Sequence, residues 1–140
     1  MIEKLTKNKN RIKYQGEVFT PKWLVVQSVE NIQKQQQNIF IEKEKTFFDP
    51  SCGNGNLLIE VVNNKIKNGS SAWEALSTTF GVDIMEDNVL ECRQRLLEAA
   101  GVKQKRFEKL VETTIVQGNT LKTPIEVLFK KFIDNHKQGS

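Results

Sequence analysis

One stretch constrains this chain more than any other: Phe47-Phe48-Asp49-Pro50-Ser51-Cys52-Gly53-Asn54-Gly55-Asn56-Leu57-Leu58. Thr46, Phe47 and Phe48 suit a buried strand, and apolar residues at neighbouring positions fit a strand covered on both faces. Two glycines then flank one asparagine. After Gly55 the apolar positions switch to helical spacing. The order strand, tight glycine turn, helix lets a backbone come close to a nucleotide-like ligand. Glycine carries no Cβ to block that approach and takes positive φ, while the start of the following helix offers unpaired N–H groups.

The rest of the chain alternates in the same way. The helix after Gly55 runs to about residue 67, with Leu57, Leu58, Val61, Val62 and Ile66 on one stripe, and Asn68-Gly69 ends it. Ser70 or Ser71 caps a short helix through Trp73 to Leu76. A second strand spans about 78–84 and closes on Asp83 and Ile84. Glu86 and Asp87 open the next helix, where carboxylates are favoured. Its stripe is Val89, Leu90, Leu96, Leu97 and Ala100, and Gly101 stops it. Residues 103–110 are basic and partly helical. A third strand is expected at about 111–116, followed by Gln117-Gly118-Asn119-Thr120-Leu121. Thr123-Pro124 starts a last helix to about residue 136, carrying Ile125, Val127, Leu128, Phe129, Phe132 and Ile133. Upstream, residues 1–15 read as a mobile basic arm. Thr20-Pro21 starts an amphipathic helix, and 38–45 connect it to the first strand. This pattern predicts an α/β fold: a partial doubly wound, Rossmann-like parallel sheet of about three strands with flanking helices, forming one domain over 16–140.

Bulk properties narrow the class. The chain has 140 residues, 38% hydrophobic and 27% charged, enough for one soluble globular core. A formal charge of +4 permits a nucleic-acid partner without requiring one. Lys103, Lys105, Arg106 and Lys109 read as a solvated helix face, because neither a groove-reading motif nor interleaved aromatics accompanies them. Two cysteines, Cys52 and Cys92, are too few for a disulfide framework or a zinc site. Both are expected to be reduced, in a cytoplasmic setting, and no metal site is expected. No apolar run approaches the roughly 20 residues of a membrane span. The basic N-terminus lacks the apolar core of a secretory signal.

Two aspartates give the turn its chemistry. Asp49 ends the first strand, where its carboxylate would pair with a cationic amino group. Asp83 ends the second, where an acid can accept both hydroxyls of a ribose. Either alone is more often a turn-forming aspartate bonded to nearby backbone. Both together with the glycine turn favour a ligand at the carboxyl edge of the sheet. A dinucleotide site normally has a third glycine; Leu58 stands in its place, which argues against NAD. The turn suits a ligand with a nucleoside and a carboxylate but no phosphates.

Four segments resemble, in the same order, the cofactor-binding part of S-adenosylmethionine-dependent DNA adenine-N6 methyltransferases of the restriction-modification type. They are Gly16-Glu17-Val18-Phe19-Thr20-Pro21, Asp49 to Leu58, Gly81-Val82-Asp83-Ile84, and Gln117-Gly118-Asn119-Thr120-Leu121. The resemblance spans about residues 16–121 and implies S-adenosylmethionine as cofactor. It implies that Phe19, Thr20 and Pro21 close over the cofactor and that Asp49 sits near its amino group. Gly53 and Gly55 would let the backbone pass the methionine moiety, with Pro50, Ser51 and Asn56 in the same loop. Asp83 would bind the ribose, Ile84 would pack on the adenine ring and Asn119 would bond the adenine edge.

One departure stands against these matches. The family's catalytic loop, Asn-Pro-Pro-Tyr or Asp-Pro-Pro-Tyr, follows a fourth strand and holds a flipped adenine. This sequence has three prolines, Pro21, Pro50 and Pro124, and no Pro-Pro. No catalytic residue is therefore assigned, and the chain reads as a truncated or split methyltransferase domain, inactive alone. DNA would be engaged together with a partner. A second chain or self-association is expected to cover the exposed edge of the first strand. The last helix, through Phe129 and Phe132, could cover that edge instead, or could pack in the usual crossover position on the sheet face. The alternative function is a non-catalytic binder of S-adenosylmethionine or S-adenosylhomocysteine.

Overall fold

The computed structural model describes residues 38–139. The expected arm at 1–15 and the helix starting at Thr20-Pro21 lie outside these residues. Three strands, β1 (Phe47–Asp49), β2 (Thr79–Asp83) and β3 (Ile115–Gln117), form a parallel sheet in the order β1-β2-β3. The register pairs Phe48 with Phe80, Asp49 with Gly81, Val82 with Val116 and Asp83 with Gln117. Helix α1 (Asn38–Ile41) precedes β1, and α2 (Asn56–Lys67) and α3 (Ala72–Ser77) make the crossover from β1 to β2. Between β2 and β3 run α4 (Glu86–Ala100) and α5 (Lys105–Thr114). After β3 come α6 (Ile125–Leu128) and α7 (Lys130–Gly139).

Local chemistry explains most of these boundaries. Gly69 and Gly101 both sit at positive φ, 107° and 69°, where helices α2 and α4 end. Of the two candidate serines, Ser71 caps α3: its hydroxyl accepts from the Glu74 N–H at 3.0 Å, and Glu74 Oε1 accepts from the Ser71 N–H at 2.8 Å. Phe47 and Phe48 point to opposite faces. Phe47 joins Phe40 and Val61 in a small cluster, and its ring stacks on Phe40 at 5.3 Å. Phe48 belongs to the main core with Leu58, Val62, Phe80, Val82, Leu96 and Ile115.

Four expectations need correction. The third strand starts at Ile115, because residues 111–114 complete α5. Their β-branched side chains favour strand locally, yet Phe107, Leu110, Val111 and Thr114 fall at helical spacing and are all buried. The last helix is broken at Phe129, which is fully buried against the sheet. Leu90, expected on the apolar stripe of α4, and Val127, expected among the apolar residues of the last helix, are 53% and 59% exposed. Cys92 takes the stripe position in α4, and Lys65 takes one in α2.

The final helices settle in the crossover position on the sheet face rather than over the β1 edge. Phe129 meets Phe48 and Phe80 edge-on, with ring centroids 5.8 and 5.3 Å apart, and Phe132 meets Phe80 at 4.8 Å. Such edge-to-face contacts add about 0.5–1.5 kcal/mol each beyond area burial. Among the described residues, β1 pairs with β2 and with no other strand.

Candidate functional site

Parallel strands bring their carboxyl ends to one edge, and Asp49, Asp83 and the segment after Gln117 all arrive there. From β1 the chain turns at once. Asp49 Oδ1 accepts from the Ser51 N–H at 3.0 Å, an Asx turn. The Cys52 N–H then reaches across to the Val82 carbonyl of β2 at 2.9 Å. Gly53 and Gly55 take φ of 56° and 95°. The Gly53 N–H donates to Asp83 Oδ1 at 3.1 Å, so β2 holds the turn of β1.

Glycine is required at two of these positions for space. A Cβ on Gly55 would lie 2.7 Å from Cys92 Sγ, and one on Gly81 would lie 2.7 Å from Leu58 Cδ1. At Gly53 a Cβ would meet nothing within 4 Å, so that side of the turn is open. A strand-interior glycine signals close backbone approach, which is the clue Gly81 offered in the sequence. At Gly118, on the other face, a Cβ would meet only the tip of the Leu128 side chain, which can turn aside.

Electrostatics at the edge is one-sided. Burial holds the Asp49 carboxyl above the ordinary carboxylate range; the Ser51 N–H pulls the other way, and the nearby Asp83 charge adds to the rise. Among the described residues no lysine, arginine or histidine pairs with Asp49 or Asp83. Asp83 is nearly buried and well bonded: besides Gly53, its Oδ2 accepts from the Met85 N–H and Asn88 Nδ2, both at 3.0 Å. Asn88, which the sequence did not single out, thus orients Asp83 from the first turn of α4. Ile84 next to it is 63% exposed, an apolar surface without a cover among the described residues.

Other expected residues fall at the same edge. Pro50 is half-buried and Ser51 exposed at the turn, and Asn56 is the first residue of α2. Asn119 follows β3, where its Oδ1 accepts from the Leu121 N–H at 2.9 Å. The amides of Asn56, Leu57 and Leu58 have no acceptor among the described residues, as expected of a first helical turn. Phe19, Thr20 and Pro21 lie outside the described residues.

Behind the turn stands α4. Cys92 packs against Gly55, and with burial it pushes the Cys52 thiol far up, so that thiol stays protonated and inert. Both cysteines are free and buried. Arg95 Nη1 donates to the Asn54 carbonyl at 3.0 Å and to Asn56 Oδ1 at 2.8 Å. Neither Cys92 nor Arg95 was assigned to the site from sequence, because nothing in a single chain reports which helix lies behind the turn. Among the described residues no cluster of His, Cys, Asp and Glu could hold a metal ion, and no helix is long and apolar enough to cross a membrane.

The profile of the N-6 DNA Methylase family matches residues 1–134. The chain belongs to this family. A relative of this N-6 DNA methylase chain is the Type II methyltransferase M.VspI of Vibrio sp. (strain 343), 33% identical over 95 residues. That alignment covers 68% of this chain and 20% of the relative, so the chain spans about a fifth of the relative's length. No solved structure matches it. Family membership accords with the strand, glycine turn and strand-end acids that the fold brings to one edge.

Proposed function

We propose that this chain binds S-adenosylmethionine at the carboxyl edge of its sheet, as the cofactor-binding part of a DNA adenine-N6 methyltransferase. One observation carries the reading: two neighbouring strand-end carboxylates, without a cationic partner among the described residues, stand beside a glycine turn whose outer side is open. Burying such charges is unfavourable unless something positive compensates them. S-adenosylmethionine carries an ammonium and a sulfonium, so the residues present fit it.

Each residue then has a task toward the ligand. Asp49 would take the ammonium group, relieving its own desolvation. Gly53 and Gly55 leave room for the amino acid part, and the free first-turn amides of α2 would receive its carboxylate. Asp83 has one lone pair of Oδ1 beyond its three bonds, so binding ribose hydroxyls would require sharing with, or displacing, Asn88. Ile84 would pack on the adenine ring and Asn119 would bond its edge. Phe19, Thr20 and Pro21 would close the pocket. When bound, the cofactor supplies an activated methyl group on sulfur. Transfer to a DNA adenine would use an Asn/Asp-Pro-Pro-Tyr loop from a further segment or partner chain, seated beside the second edge of β1.

Calorimetric titration of the chain with S-adenosylmethionine and S-adenosylhomocysteine tests this. Binding is expected with a dissociation constant in the range of about 1 μM to 1 mM. Asp49→Asn should weaken it roughly tenfold or more, the loss of a charge-assisted hydrogen bond. Absence of any heat at about 1 mM ligand would end the reading. Methyl transfer to adenine-containing DNA on adding a chain that carries the loop, and none without it, separates this proposal from a non-catalytic binder.

A further inference from the structure

We propose that Arg95 is the positioning residue of the glycine turn, fixing the Asn54–Gly55 peptide in the orientation that the cofactor's amino acid part requires. This rests on the S-adenosylmethionine reading above and adds to it a residue that touches the turn but not the ligand. The turn alone cannot supply that order. Glycines on both sides of Asn54 leave the backbone free to rotate, and Gly55 has no side chain with which to cap α2. Asn56 has a side chain, but its Oδ1 is turned away to Arg95.

The geometry shows how the guanidinium substitutes for that missing order. A trans peptide points its carbonyl and its N–H in opposite directions. The Gly55 N–H donates to the Cys52 carbonyl at 3.0 Å, while the Asn54 carbonyl of the same peptide accepts from Arg95 at 3.0 Å. Both ends of the peptide plane are thus held, one by the turn and one by α4. The bond to Asn56 Oδ1 at 2.8 Å ties the first residue of α2 to the same nitrogen. A flip of the plane would break both bonds and turn the Asn54 carbonyl toward the Cys52 carbonyl, two acceptors face to face. Arg95 opposes that flip from the back, half-buried beside Cys92.

The test compares two ligands on the full chain. S-adenosylhomocysteine contains the amino acid part; methylthioadenosine has the same nucleoside without it. In Arg95→Met the affinity for S-adenosylhomocysteine should fall at least about tenfold, as expected for losing hydrogen bonds to a charged donor, with methylthioadenosine within about twofold of wild type. Arg95→Lys, which keeps one charged donor, should recover part of the loss. Amide exchange without ligand should quicken at residues 53–58 and stay unchanged in β2. A global loss of structure would instead weaken both ligands alike and quicken exchange everywhere, which overturns the proposal. Should Arg95→Met not fold, Asn56→Ala removes one of the two bonds and should show the same selective loss, smaller in size. Wild type binding both ligands, with the variants unchanged, overturns this inference alone. Wild type binding neither overturns the cofactor reading and this inference with it.

Discussion

Replacing Gly55 with alanine isolates what the turn demands of its backbone and of its packing. Gly55 sits at φ 95°, beyond even the small left-handed region open to other residues. Holding alanine there costs about 1–2 kcal/mol. Its Cβ would lie 2.7 Å from Cys92 Sγ, and Cys92 is wholly buried, so the sulfur has nowhere to retreat. Overpacking of this kind costs about 1–3 kcal/mol. Stiffening the unfolded chain returns up to about 1 kcal/mol. The net is a loss of about 1–5 kcal/mol, against the roughly 5–15 kcal/mol that holds a domain together. Adding Cys92→Ala removes the steric part and leaves the backbone part, so the double variant should recover roughly half. Urea unfolding followed by circular dichroism reads both values, provided the slope stays that of wild type. A single variant within about 0.5 kcal/mol of wild type would refute the argument for strain and contact together. A double variant no better than the single would refute the contact with Cys92.

Other consequences concern the opposite end of the sheet. Lys65 is fully buried in α2, its ammonium donating to the Lys45 carbonyl at 2.7 Å and lying 5.1 Å from the centre of the Phe47 ring. Burial lowers its pKa from 10.5 to about 8, against the opposing pull of Glu44 and Glu74. A lowered folded value means that between pH 8 and 10.5 the unfolded chain holds more protons. Stability should therefore rise by roughly 3 kcal/mol as pH climbs through that window, and Lys65→Met should flatten the rise. Equal pH slopes for the two proteins would contradict this. At α3, Ser71→Ala breaks the reciprocal cap with Glu74 and should cost about 1 kcal/mol, read as a lower urea midpoint at unchanged slope. No change in midpoint would mean that Trp73 and its neighbours hold α3 without the cap.

Much of the site was legible because its signals are local. Glycine spacing, the aspartates at strand ends and the stops at Gly69 and Gly101 each depend on a few adjacent residues. What escaped depends on partners far away in the chain. Arg95 reaches Asn54 across 41 positions, and no periodicity encodes that reach. Residues 111–114 favour strand by type, yet packing of Phe107, Leu110 and Val111 outweighs that preference. Lys65 lies on the buried stripe because Leu58, Val61 and Val62 define it, and a carbonyl within reach makes its burial tolerable.

By itself the sequence determined the alternation of strands and helices, hence a parallel sheet, hence a single edge at which Asp49 and Asp83 must meet. Tertiary structure decided how that edge is held: Asp83 fastening the turn, α4 supporting it through Cys92 and Arg95, and Phe129 and Phe132 covering the far face. The division follows from range, since backbone preference and periodicity act within a few residues, whereas contact between elements exists only after the chain has folded.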